Sequence, residues 1–157
     1  MNNVRIRFQH PFKTETEEIS YINSEQTIKT FLAINWEQLN TDIYEKHDDV
    51  IHDYYFFEIS YVDHSTLEHS LNLSGLYTHG ENLRLNGPQF YIRYVRPVEK
   101  TSRGFLGLGK MKTKMVSAAL EMEDCSINLV LACLKAFLNN DTGFLENNIE
   151  NNVTSGF

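Results

Sequence analysis

The stretch Tyr54–Val62, which reads YYFFEISYV, is the part of the sequence that decides the fold. Aromatic and β-branched residues dominate it, and these residue types favour a pleated, packed surface. They occur at both odd and even positions, so both faces of an extended chain would be apolar. Because a strand of this kind is typical of the interior of a sheet, we expect it to be a central strand with neighbours supplied by the flanking sequence.

Further segments on both sides of this stretch have the features of strands. Most alternate between apolar and polar residues, which is the pattern of a half-buried strand. The predicted strands are Val4–Phe8, Ile19–Ile22, Leu67–Ser74, Leu83–Leu85, Gln89–Val95 and Lys112–Met122. Asn86-Gly87 is a hairpin signal. Pro97 is expected to end its strand at an edge, because proline cannot donate to the hydrogen-bond ladder.

Helical spacing predicts helices before and after the main run of strands. Ser24 can cap a segment that continues to Glu45 as one kinked helix or two short ones. Ser126 can cap a C-terminal helix with an apolar stripe, and a short helix is predicted at Phe144–Ile149. This order predicts an α+β fold: a largely antiparallel sheet of about five to seven strands, with the C-terminal helix and the N-terminal helical segment packed on one face.

The composition predicts one packed domain. The 157 residues are 41% hydrophobic and 22% charged, close to a globular average. We expect a single domain over residues 1–150 and a frayed tail over 151–157. Cys125 and Cys133 both fall in the predicted helix, about 12 Å apart, so we expect reduced, buried thiols and a cytoplasmic location. The sequence shows neither a secretory signal nor an apolar run long enough for a membrane span.

Charge is unevenly distributed along the chain. The formal net charge is −7, yet eight of the fourteen basic residues lie between Arg84 and Lys114, where only Glu99 opposes them. Such asymmetry often marks an interaction surface. The alternative is that the acidic and basic regions pair with each other in the folded chain.

The densest acidic run is Asp42–Asp53, which contains four aspartates, one glutamate and two histidines. His47 and His52 could in principle bind zinc or iron together with the carboxylates, but no transferable ligand spacing is present, so no metal site is predicted. Charge suggests another use. A segment this negative is suited to a basic partner.

The loop Gly104–Lys110 has the glycine and lysine spacing of a phosphate-binding loop. Met111 stands where such a loop requires Ser or Thr for magnesium, and a strand-like segment follows where a helix should begin. We therefore interpret the loop as a possible second contact element. Its candidate residues are Phe105, Leu106, Leu108 and Lys110.

No catalytic constellation is predicted. His64 and His69 flank a turn that also contains Asp63 and Ser65, but nothing indicates a nucleophile elbow or an oxyanion hole. The two cysteines read as small hydrophobic residues. We expect a protein without a cofactor that is not an enzyme.

In size, acidity and the run Asp42–Asp53, the chain resembles the immunity proteins of bacterial toxin systems of the contact-dependent inhibition type. The resemblance implies a non-catalytic cytoplasmic protein that neutralises a cognate, basic, nuclease-like toxin by covering its active site. The residues themselves suggest where that partner would bind. The predicted partner-binding residues are Asp42, Glu45, Asp48, Asp49, Asp53, Tyr54 and Tyr55.

Two other functions remain open from the sequence. One is a structural or adaptor module that assembles with itself, such as a phage or secretion-system component. The other is a nucleotide-binding or nucleic-acid-binding protein that uses the Gly104–Lys110 loop and the basic stretch, although overall acidity opposes contact with phosphates.

Overall fold

The computed structural model describes residues 4–52, 55–64, 66–76, 87–102 and 111–149. Six strands lie in these ranges: β1 (Arg5–Gln9), β2 (Glu17–Ile19), β3 (Tyr55–Val62), β4 (Glu68–Leu76), β5 (Gln89–Ser102) and β6 (Lys112–Cys125). The same ranges hold four α-helices, which are α1 (Ser24–Ala33), α2 (Trp36–Glu45), α3 (Ile127–Leu138) and α4 (Thr142–Asn148), and a short 3-10 helix at His47–Asp49.

The strands form one antiparallel sheet in the order β2-β1-β3-β4-β5-β6, with the helices on one face. The α+β fold predicted from the sequence is therefore confirmed. The aromatic stretch does supply an interior strand, since β3 pairs with β1 on one side and with β4 on the other.

Alternate strand residues face the helices and make the core; we call this side of the sheet the covered face. Pairing between the strands aligns apolar residues in rows across it. One row consists of Ile6, Ile59, Leu71, Tyr94 and Leu120, all of them buried. The helices supply the opposing side chains: the ring of Phe31 lies 5.5 Å from that of Phe57, and Phe137 lies 6.2 Å from Tyr94. Burial of these aromatic groups supplies the main driving force for folding.

The open face of the sheet carries a row of charged and polar residues instead. Cross-strand pairing aligns Arg7, Glu58, Asn72, Arg93 and Glu121. Arg7 forms an ion pair with Glu58, and Arg93 donates from Nε to Glu121 Oε1 at 2.9 Å. Opposite charges in direct cross-strand contact stabilise a sheet and satisfy each other, so these groups are neutralised within the face.

The helix boundaries differ slightly from those predicted. Asn23, rather than Ser24, caps α1, because its Oδ1 accepts a hydrogen bond from the Gln26 amide at 2.8 Å. Of the two alternatives predicted for the segment that ends at Glu45, the structure has two short helices, and Asn35 caps the second of them. The predicted short strand at Ile19–Ile22 lies earlier, at Glu17–Ile19.

Two other boundary predictions were wrong. β5 does not end at Pro97 but continues to Ser102, while its pairing with β4 ends at Val95. Pro97 is tolerated because, among the described strands, β6 alone pairs with β5 at that point. Cys125 belongs to β6 rather than to the C-terminal helix, so the helical separation from Cys133 does not apply. Both thiols are nevertheless free and buried.

Several predicted segments lie outside the described residues. They are the strand Leu83–Leu85, the loop Gly104–Lys110 and the tail 151–157. In the ranges that are described, no helix is both long enough and apolar enough to cross a membrane.

Candidate protein-binding surface

The acidic segment is held at one end of the sheet by backbone hydrogen bonds. The 3-10 helix at His47–Asp49 follows α2 directly. The amides of Ile51 and His52 then both donate to the carbonyl oxygen of Pro11, at 3.0 and 3.1 Å. Because Pro11 lies just after β1, this anchor fixes the segment beside the end of the sheet where β1 ends and β3 begins.

Three carboxylates of this segment are exposed, and we call them the acidic surface: Glu45, Asp48 and Asp49. The side chain of Asp48 is 90% exposed and lies 3.1 Å from His47 Nε2. All three residues lie at or just beyond the C-terminal end of α2, where the nearest basic residue, the C-cap Lys46, pairs with Asp42. The C-terminal end of a helix already carries partial negative charge, so the helix and the carboxylates reinforce one negative potential.

Asp42 contributes less than its sequence position suggests. Its Oδ1 accepts hydrogen bonds from Gln38 Nε2 at 3.0 Å and from Lys46 Nζ at 3.4 Å. The Gln38 hydrogen bond is the main reason that the pKa of this carboxyl group is lowered, with Lys46 adding to it. Its charge is thus partly satisfied within α2, and it forms the inner border of the acidic surface.

Tyr55 is not a contact residue, which corrects one prediction. Its side chain is only 2% exposed and stacks on Trp36 with ring centroids 5.7 Å apart. Burial raises its pKa to about 12. Two other predicted contact residues, Asp53 and Tyr54, lie outside the described residues.

Two exposed apolar residues that sequence reasoning missed border the acidic surface. Tyr44 is 53% exposed and Ile51 is 50% exposed. Helical spacing hid Tyr44, because it falls in line with the buried residues Trp36 and Asn40. An exposed aromatic residue beside charged groups is the composition that protein interfaces favour.

Part of the basic stretch forms the opposite end of the sheet. Beyond Val95, β5 and β6 continue as a two-stranded ribbon, which we call the basic ribbon. Lys100 lies directly opposite Lys114, and Lys112 opposite Ser102; all three lysines are exposed. The loop that joins these strands contains Phe105, Leu106, Leu108 and Lys110, which lie outside the described residues.

The lysines of the basic ribbon lie too far from the acidic surface for the two to neutralise each other. The row nearest the acidic surface contains Tyr55 and Phe90, and β5 then runs twelve residues to Ser102. At about 3.3 Å per residue this separates the two ends by roughly 40 Å, several times the distance over which salt screens charge.

The ion pairs of the basic residues agree with this separation. Arg93 pairs with Glu121, and Arg96 pairs with Glu146 of α4. Within the described residues, no ion pair joins the basic stretch to Glu45, Asp48 or Asp49. The alternative that the sequence left open, internal pairing, therefore holds for Arg93 and Arg96, whereas in the described part of the chain it does not reach the acidic surface.

The histidine clusters do not assemble into a recognisable site. No group of three His, Cys, Asp or Glu side chains suited to a metal occurs among the described residues. His69 Nε2 lies 3.1 Å from Asp63 Oδ2, and its ring stacks on Tyr61 at 4.7 Å. This pair closes the β3–β4 turn, while Ser65, the nucleophile such a triad would need, lies outside the described residues.

The cysteines are packed as core residues. Burial raises the pKa of the Cys125 thiol to about 11 and that of Cys133 to about 12. Thiols held this strongly in the protonated form are weak nucleophiles at neutral pH.

Comparisons of the chain with protein-family models, with curated proteins and with solved structures find no match.

Proposed function

We propose that this chain is a cytoplasmic, non-catalytic protein that binds a basic protein partner through its acidic surface, as an immunity protein neutralises a toxin. The observation that carries the proposal is the exposed set Glu45, Asp48 and Asp49, which lies roughly 40 Å from the chain's own surplus of lysines. Their charge is thus available to another molecule.

The composition of the surface suits such a partner. Carboxylates reinforced by a helix terminus attract a cationic protein and speed the encounter. Tyr44 and Ile51 then offer apolar area at the border of the charged patch, where burial adds affinity. A nuclease active site, which must attract phosphates, presents the positive charge that this surface complements.

The test uses the protein encoded beside this gene, provided that this protein is basic. It is co-purified with the chain, or it is titrated against the purified chain. Replacing Asp48→Lys and Asp49→Lys is expected to weaken binding at least tenfold, measured by calorimetry. The wild-type affinity should fall steeply between 50 and 300 mM salt because the attraction is electrostatic.

A matched control variant tests whether a loss of binding depends on the acidic surface or only on net charge. Glu68→Lys with Glu99→Lys makes the same change in net charge at exposed positions away from the acidic surface, and it should bind like the wild type. Both double variants should unfold within about 0.5 kcal/mol of the wild type, as exposed substitutions usually do. Unchanged affinity of the Asp48/Asp49 variant would remove the acidic surface from the interface.

A further inference from the structure

The last strand of the sheet, β6, is a long edge. It spans fourteen residues, Lys112–Cys125, and β5 is the only strand that pairs with it in the part of the chain that is described. The opposite edge, β2, has only three residues. A long edge strand offers a row of backbone donors and acceptors that can pair with another chain. This feature is independent of the acidic surface and of the function proposed above.

The middle of β6 lacks the features that usually protect an edge. Met115–Leu120 reads MVSAAL, with no charged residue and no proline. Ser117, Ala118 and Ala119 are small, so another strand can approach them closely. Met115 is 45% exposed. A six-residue uncharged window of this kind is a template for strand pairing.

The charges at the two ends of β6 indicate which strand fits this edge. Lys112 and Lys114 begin the strand, while Glu121, Glu123 and Asp124 lie near its end. If two copies of β6 pair in antiparallel fashion, the basic half of each lies beside the acidic half of the other. A parallel arrangement would put like charges together. The sequence of β6 is therefore complementary to itself in one orientation.

The position of Lys114 adds to this argument. In its own sheet it lies directly opposite Lys100, and like charges in this position destabilise a strand pair. Carboxylates brought in on the free side of β6 would offset that repulsion. A second copy in antiparallel orientation brings Glu121, Glu123 and Asp124 to this end of the strand.

We propose that two copies of this chain associate through β6, forming one continuous sheet around a two-fold axis. A register centred on Ala118 sets Val116 opposite Leu120 and Lys114 opposite Met122, and it brings Lys112 to the acidic end of the partner strand. As far as Met122, where the register of β6 with β5 shifts, every pair joins residues of the same face, as a two-fold axis perpendicular to the sheet requires. The interface is isologous and closes at two copies. It leaves the acidic surface open, since that surface lies on the β1–β3 side of the sheet.

The test uses two complementary charge variants and measures mass by light scattering and sedimentation between 1 and 200 μM. The first, Lys112→Glu with Lys114→Glu, makes β6 wholly acidic. The second, Glu123→Lys with Asp124→Asn, makes it largely basic; asparagine suits position 124, where φ is +56°. The wild type should dimerise, each variant alone should dimerise at least tenfold more weakly, and an equimolar mixture should recover dimers.

A control variant separates the edge from net charge. Lys29→Glu with Lys135→Glu makes the same charge change as the first variant on exposed helical positions and should dimerise like the wild type. Circular dichroism checks that every variant is folded. A wild type that stays monomeric up to 200 μM overturns the proposal. So does a dimer that persists in both edge variants, since another surface would then hold it.

Discussion

Phe56 and Phe57 are neighbours on β3, yet the structure treats them differently. Phe57 is fully buried under the helices, whereas Phe56 is partly exposed on the open face. The same contrast holds across the sheet: rows of aromatic and aliphatic residues lie on the covered face, and rows with Arg7, Glu58 and Arg93 lie on the open one. The covered face supplies cohesion, and the open face pairs its charges internally.

This contrast shows where charge remains for a partner. Arg7 and Arg93 on the open face are satisfied by Glu58 and Glu121. The sheet holds the exposed acids at the end of α2 and the lysines of the basic ribbon at opposite ends. These two groups therefore do not pair with each other. The candidate interfaces therefore lie at the ends and the edge of the sheet, rather than on its open face.

The largest expected effect comes from truncating the covered face. Phe57→Ala removes a ring that lies 5.5 Å from Phe31 and leaves a cavity, so it should lower the free energy of unfolding by about 3–5 kcal/mol. Phe56→Ala, the matched change on the open face, should cost about 1 kcal/mol. Urea unfolding measures both values. Equal losses would mean that the open face is also packed against something.

Much of this architecture was predictable from local patterns. Period-two and helical spacing located most strands and helices, because an element that buries one side has apolar residues at every second position in a strand, or at every third or fourth position in a helix. The face that β3 buries could not be predicted in the same way, since Tyr54, Tyr55, Phe56 and Phe57 are all aromatic. The alternation of residues then does not indicate which face of β3 is buried. Only the pairing with β1 and β4 decides this. For this reason Tyr55 was wrongly predicted as a contact residue.

The remaining errors involve long-range information. Pro97 is tolerated inside β5 because the pairing of β5 with β4 stops at Val95, which no local pattern around Pro97 records. Tyr44 follows the spacing of buried helix residues, but it lies near the end of α2, where it is 53% exposed. The acidic run itself was visible in the sequence. Its distance from the basic stretch depends on where β3 and β5 lie in the sheet.

An intermediate effect is expected at alkaline pH, and it tests the covered face again. Burial raises the pKa of Tyr55 and of Tyr94 to about 12, from the ordinary value of 10. Below pH 10 the two hydroxyl groups keep their protons in both the folded and the unfolded chain. Between pH 10 and 12 the unfolded chain releases them first, so it binds fewer protons and the free energy of unfolding falls as pH rises.

The buried thiols extend this window downward, because an unfolded cysteine ionises near pH 9 while Cys133 in the fold ionises at about 12. Urea midpoints measured from pH 8 to 12 should therefore decline from about pH 9. Tyr94→Phe should make the decline shallower above pH 10. A midpoint that stays constant to pH 12 would contradict the burial of these groups.

The smallest expected effect concerns the open face. Arg7 donates from Nε to Glu58 Oε1 at 3.0 Å, and the Glu58 side chain is only 15% exposed. This hydrogen bond is the main reason that the pKa of Arg7 is raised. A double-mutant cycle with Arg7→Met and Glu58→Gln should give a coupling of about 1 kcal/mol, because the pair is partly shielded from water. The same cycle on Lys29 and Glu25, whose side chains are 63% and 76% exposed, should give about 0.3–0.5 kcal/mol. If the two couplings were equal, the open-face row would be no more than a solvated surface, and its charges would count again among those available to a partner.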